Sequence, residues 1–174
     1  MTIDLLKLAK QSASLHKEVN CTFGKINVYH VPDAMVLSAN VGRPEPEQPM
    51  VRMKTVTGFQ DRLSKPGDNE YDEWRSDLSN YNEERLKLMG AIRLVSALKD
   101  QSYPDINKPP PGWANEVYNG NWPDNEILRK KIWLDFSIMS IRSDNDAIVT
   151  AIDEMQGATA VTEEMVNEVK KSSG

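Results

Sequence analysis

Between Tyr71 and Leu98 the apolar side chains Tyr71, Trp74, Leu78, Tyr81, Leu88, Ile92, Val95 and Leu98 recur at steps of three and four, interrupted only at Arg85. Residues three and four apart share one face of an α-helix, whereas a half-buried strand alternates every second residue. The spacing therefore predicts an amphipathic helix of about 30 residues, roughly 45 Å long. Such a rod must cover its stripe, and each aromatic in its first half removes on the order of 150–250 Å² from water when buried. Arg85 in the seam is expected to snorkel or to form an ion pair rather than to hold a ligand. The turn at Ser64-Lys65-Pro66-Gly67 precedes Asp68 and Asn69, either of which can cap the first free amides.

Weaker signals surround this helix. Leu5, Leu8, Leu15 and Val19 keep helical spacing and predict a first helix within residues 1–24. Lys25 to Val31 alternates and reads as a strand ended by Pro32; Asp33 to Ala39 is either a brief helix or a second strand. Pro44, Pro46 and Pro49 fix φ and remove backbone donors, so that stretch should be extended. Met50 to Val56 alternates again and is expected to pair with the earlier strand, with Gly58 closing the element. Lys108-Pro109-Pro110-Pro111-Gly112 predicts an extended connection before Trp113. Asp124 then caps a helix carrying Ile127, Leu134, Ile138 and Ile141, and a last helix around Ala147 to Met155 stops at Gly157. The expected architecture is mainly α with a minor α+β element: a single α-rich domain over 1–157, comprising an N-terminal helix (1–24), a small β and Pro-rich region (25–67) and a helical region (68–157). An acidic C-terminal helix or tail (158–174) follows.

At 174 residues, with 39% hydrophobic and 27% charged side chains, the chain suits one globular domain rather than a fibre or a disordered tail. The formal charge of −5 argues against nucleic acid, which needs clustered Lys and Arg. Its distribution is more informative. From Ser143 onward seven acids face only Lys170 and Lys171, leaving 19 acids and 19 bases in the first 142 residues. A neutral body with an acidic end suits a protein that meets other proteins, unless that end is simply a solvated helix face. No apolar run reaches the length of a membrane span and no secretory leader is visible, so a cytoplasmic site is expected, with no membrane partner. Cys21 is the one cysteine and His16 and His30 are the two histidines, so neither a disulfide framework nor a metal centre is expected.

Catalytic arrangements are missing as well. No Gly-rich phosphate loop, Gly-x-Ser-x-Gly elbow or His-Glu-x-x-His pair occurs, and Asp144-Asn145-Asp146 lacks the glycine and later glutamate of a calcium loop. Cys21 and His16 meet only if the first helix continues, and a lone Cys more commonly fills core. Glu83-Glu84 and Glu163-Glu164 fall on expected solvated faces. Neither an enzyme nor a cofactor is expected. Trp74, Trp113, Trp122 and Trp133, with Met50 and Met53, either fill core or line a groove for a partner helix. The residues expected to bind a partner are Trp113, Tyr118 and Trp122, followed by Met50 and Met53.

The series Val31-Pro32-Asp33-Ala34, then Pro44-Glu45-Pro46-Glu47-Gln48-Pro49-Met50-Val51, then Asp68-Asn69-Glu70-Tyr71 opening the long helix, then the Pro-rich loop and Trp113, resembles small tail proteins of long-tailed bacteriophages, the tail assembly chaperones. The resemblance covers roughly residues 25 to 157. It implies a non-enzymatic protein, acting in the host cytoplasm, that coats the helical tape measure protein before the tail tube polymerises and that recruits tail tube protein. A structural tail or neck component of the virion, or a phage-encoded inhibitor of a host protein, are the alternatives.

Overall fold

The computed structural model describes residues 14–112, 116–118 and 121–171, with side chains as far as Gln156. The chain runs β1 (His16–Cys21), β2 (Gly24–Tyr29), α1 (Asp33–Leu37), β3 (Met50–Thr55), β4 (Gly58–Leu63), α2 (Asn69–Ala97), α3 (Glu126–Phe136), a 3-10 turn (Ile138–Ser140) and α4 (Arg142–Lys171). It divides into two compact units, one formed by the residues up to Leu37 together with those from Ala91 onward, the other by Ser38–Gly90. The division falls inside α2.

The expected mainly α class is corrected. At 48% helix and 17% strand, with two small antiparallel sheets, the chain is a mixed α and β protein. The expected helix of residues 1–24 is corrected over His16–Cys21, which is a strand. Leu15 and Val19 happen to extend the spacing begun by Leu5 and Leu8, but Thr22-Phe23-Gly24 supplies a tight turn that folds the segment back on β2. Gly24 has φ +125°, a conformation that side chains rarely adopt, so this turn needs glycine. Residues 1–13 lie outside the described residues. The single small sheet is corrected as well. β3 pairs with β4, in the register Met50↔Leu63 to Thr55↔Gly58, and β2 pairs with β1. Gly58 does not close an element; with φ +141° it opens β4.

In the first unit, α4 lies against both strands of the β1–β2 hairpin. Cross-strand partners share a face, so Val19 opposite Ile26 and Lys17 opposite Val28 place one apolar patch under the helix, and Val19, Ile26 and Val28 are buried. Asp144, in the first turn of α4 and 4% exposed, accepts hydrogen bonds from the Thr22 backbone N–H (2.9 Å) and hydroxyl (3.0 Å), which fastens the hairpin turn to the helix start. Lys17 pairs with Glu154, ten residues and nearly three turns further along. Val31, Val36 of α1, Ile148, Ala151 and Ile152 of α4, Ala91, Leu94, Val95, Ala97 and Leu98 of the chain around the end of α2, and Ile132 and Leu134 of α3 complete this core among the described residues. The cap of α3 is Asn125 rather than Asp124; its side-chain oxygen accepts from Ile127 and Leu128 N–H at 2.9 and 3.2 Å. α4 does not end at Gly157 but continues to Lys171.

The second unit has little core: among the described residues its buried apolar side chains are Ala39, Tyr81 and Leu88. Polar ties compensate. The Asp68 carboxylate, expected to cap α2, is instead gripped by Arg62 in a two-pronged pair (2.7 and 2.9 Å) and by the Lys65 N–H (2.8 Å). Those donors hold its carboxyl well below the ordinary value, at about 2, with the Arg62 hydrogen bond the largest cause. Arg43 bonds Asp77 (3.0 Å) and Glu84 (3.4 Å) and lies over the Tyr81 ring.

Candidate functional site

Trp74, Trp122 and Trp133 have structural partners. Proline-rich chain lacks donors but keeps its carbonyl oxygens, and these receive indole N–H groups: Trp74 donates to Pro46 (3.0 Å), Trp133 to Lys108 (3.1 Å) and Trp122 to Ile106 (3.1 Å). All three rings are half-buried. Arg129 adds a bond to the Asn107 side chain (3.1 Å), so the connection before Gly112 is fixed from several sides, and Pro110 is buried in it.

Of the residues expected to bind a partner, Trp113 lies outside the described residues. Tyr118, half-buried, meets Trp122 edge to face at 5.7 Å between ring centres. Met50 and Met53 belong to the other unit, on β3. The structure therefore brings Tyr118 and Trp122 together, and Met50 and Met53 onto one strand, but three residues apart they point to opposite faces of it.

The β3–β4 hairpin is the distinctive surface. Its two faces differ. One carries Val51, Met53, Thr55, Gly58, Gln60 and Arg62; here Val51, Thr55 and Arg62 are half-buried, and Arg62 reaches Asp68. The other carries Met50, Arg52 and Lys54 opposite Leu63, Asp61 and Phe59, and all six are exposed. Met50 is 60% exposed, Phe59 64% and Leu63 55%, where Val19, Ile26 and Val28 of the first hairpin stand at 7%, 8% and 0%. Scattered exposed apolar residues are ordinary; three on one face of a two-stranded ladder, with Val56 bare at its tip, are a patch. Two strands alone are marginal in water, and uncovered apolar strands invite pairing. Arg52 lies over the Phe59 ring at 4.8 Å. Neither Arg52 nor Lys54 has a carboxylate partner among the described residues.

The sequence pattern does not single out Phe59 and Leu63 or their strand β4: Phe59-Gln60-Asp61-Arg62-Leu63 is apolar only at its ends, so it has no period to read. The signal that was available is Val56-Thr57-Gly58, which matches Thr22-Phe23-Gly24 in placing glycine after a two-residue turn.

No arrangement of catalytic groups accompanies this surface. His16 and Cys21 stand at opposite ends of β1, about 17 Å apart along an extended strand. Burial, and then the neighbouring Asp144 charge, push the Cys21 thiol up, away from the thiolate a nucleophile needs. The Tyr29 hydroxyl donates to Asp100 at 2.5 Å, a bond that raises the phenol's pKa and holds it in its protonated form; Lys99 Nζ lies 3.8 Å from the ring centre. Among the described residues no group of three or more His, Cys, Asp or Glu is placed to hold a metal ion, and no helix is long and apolar enough to cross a membrane. The depression around Arg43, Asp77, Asn80, Glu83, Glu84 and Lys87 is open and charged, and its main groups already pair with one another. No family model, curated protein or solved structure matches the chain.

Proposed function

We propose that this chain is a non-enzymatic binding protein that shields an amphipathic helical partner, as a tail assembly chaperone shields the phage tape measure protein in the host cytoplasm before the tube forms. The observation that carries the reading is the exposed apolar face of the β3–β4 hairpin, Met50, Phe59 and Leu63, on a unit with little core of its own. Covering three side chains already more than half open removes on the order of 300 Å² from water, a few kcal/mol once association costs are subtracted. Such a contact is weak and reversible, which suits a protein that must let go when the tube assembles. The acidic excess after Ser143 favours solubility of the loaded complex through like-charge repulsion.

The test is co-expression with the tape measure protein encoded in the same genome. The expected result is a rod that stays in the supernatant and co-elutes with this chain on size exclusion. A rod that sediments equally with and without it overturns the proposal.

A further inference from the structure

We propose that the exposed β3–β4 face takes one kind of occupant: an amphipathic helix with carboxylates flanking its apolar stripe. The inference rests on the proposed function in taking the partner to be helical, and goes beyond it in assigning the surface and the partner's charge.

Two observations carry it. The first is internal. The chain holds two hairpins on one framework, six-residue strands joined by a two-residue turn and a positive-φ glycine. In the first, the apolar face is covered by α4, which adds acids at its margin: Asp144 at the turn and Glu154 on Lys17. The second has an apolar face as well, though on the other side of its ladder, and among the described residues nothing covers any of its six side chains. A helix on a two-stranded ladder is thus the solution this chain already uses. From the Met50–Leu63 pair to the Lys54–Phe59 pair the face runs four residues, about 13 Å, or roughly nine residues of helix. Apolar side chains at i, i+4 and i+7 span that length.

The second observation is charge. Arg52 and Lys54 lie along the β3 side of the face without carboxylate partners among the described residues, against one acid, Asp61, on the β4 side. A helix laid along the face therefore meets two cations at one flank. Carboxylates there gain both, whereas lysines are repelled by both. The same two cations discourage β3 from pairing with another strand like itself.

The test uses two synthetic, hydrocarbon-stapled 18-residue helices with the same Leu/Ile stripe, one flanked by Glu and the other by Lys, read by fluorescence anisotropy on the full chain at low salt. The Glu probe is expected to bind roughly tenfold more tightly than the Lys probe, as two exposed ion pairs allow. Arg52→Glu with Lys54→Glu should reverse the order, and Phe59→Ser should weaken both by tenfold or more while the melting temperature holds. Equal affinities, a preference for Lys in the wild-type chain, or binding indifferent to Phe59→Ser overturns the assignment. So does a homodimer in sedimentation that Phe59→Ser dissolves, because the occupant is then a second copy. If the charge-reversed chain keeps the tape measure rod soluble as well as wild type does, the surface assignment fails and the chaperone reading stands. If the rod is never held in solution but the probes order as stated, the chaperone reading fails and the surface assignment stands.

Discussion

Asp144→Ala should markedly destabilise the first unit although it removes no apolar core. Asp144 is almost wholly buried and accepts from the Thr22 N–H and hydroxyl, so alanine removes two hydrogen bonds to a charged acceptor and leaves both Thr22 donors without their protein partner. Bonds to charged groups contribute about 1.5–3 kcal/mol each, and an acid in the first turn of a helix adds about 0.3–1 kcal/mol. Because water reaches part of the vacated space, about 3 kcal/mol is the expected loss. For a chain of this size that lowers the melting temperature by roughly 10 °C. Asp144→Asn keeps the shape and one acceptor oxygen and should lose about half as much. Calorimetry gives the melting temperatures, and amide exchange at Thr22 reports the local bond. If Asp144→Ala melts within 1 °C of wild type, or if Thr22 exchanges no faster, the claim that this carboxylate ties hairpin to helix is refuted.

Three further outcomes follow from the same geometry. Asp68 has its folded value held at about 2, below the ordinary 3.8, so its contribution is complete above about pH 4 and is lost as pH falls toward 2; Asp68→Asn should abolish that acid dependence in amide exchange across 50–63. Trp74→Phe removes the indole bond to the Pro46 carbonyl, which should cost about 1 kcal/mol and speed proteolysis within residues 43–49. Asp100→Asn should bring the raised Tyr29 pKa back toward the ordinary value, seen as one tyrosine titrating at lower pH in the ultraviolet.

How much of this was legible depended on period and length. α2 was readable because eight apolar side chains repeat over 28 residues, and the structure places it at Asn69–Ala97, with Tyr81, Leu88, Val95 and the adjoining Leu98 buried. The β1 strand was misread because Leu15 and Val19 share spacing with both a helix and the approach to a hairpin; only the turn at Thr22-Phe23-Gly24 separates the two. The Pro-rich stretches were rightly recognised as unable to donate, but what that implies, tryptophans bonding to their carbonyls, depends on tertiary neighbours. On the candidate surface, Met50 was readable from the alternation of β3. Phe59 and Leu63 were not, since their strand has no apolar repeat and the property that matters, exposure, is decided by what the rest of the chain fails to cover. Of the aromatics expected to bind a partner, Trp122 donates its N–H to Ile106 within the fold, a tie that no pattern in the sequence announces.

Hydrogen exchange on the chain mixed with the tape measure protein proposed as its partner tests the central claim most directly. Protection should rise across 50–63, with the amides of 16–29, already covered by α4, unchanged. Protection confined to other segments, with 50–63 exchanging as in the free chain, would contradict the assignment of the exposed hairpin as the binding surface.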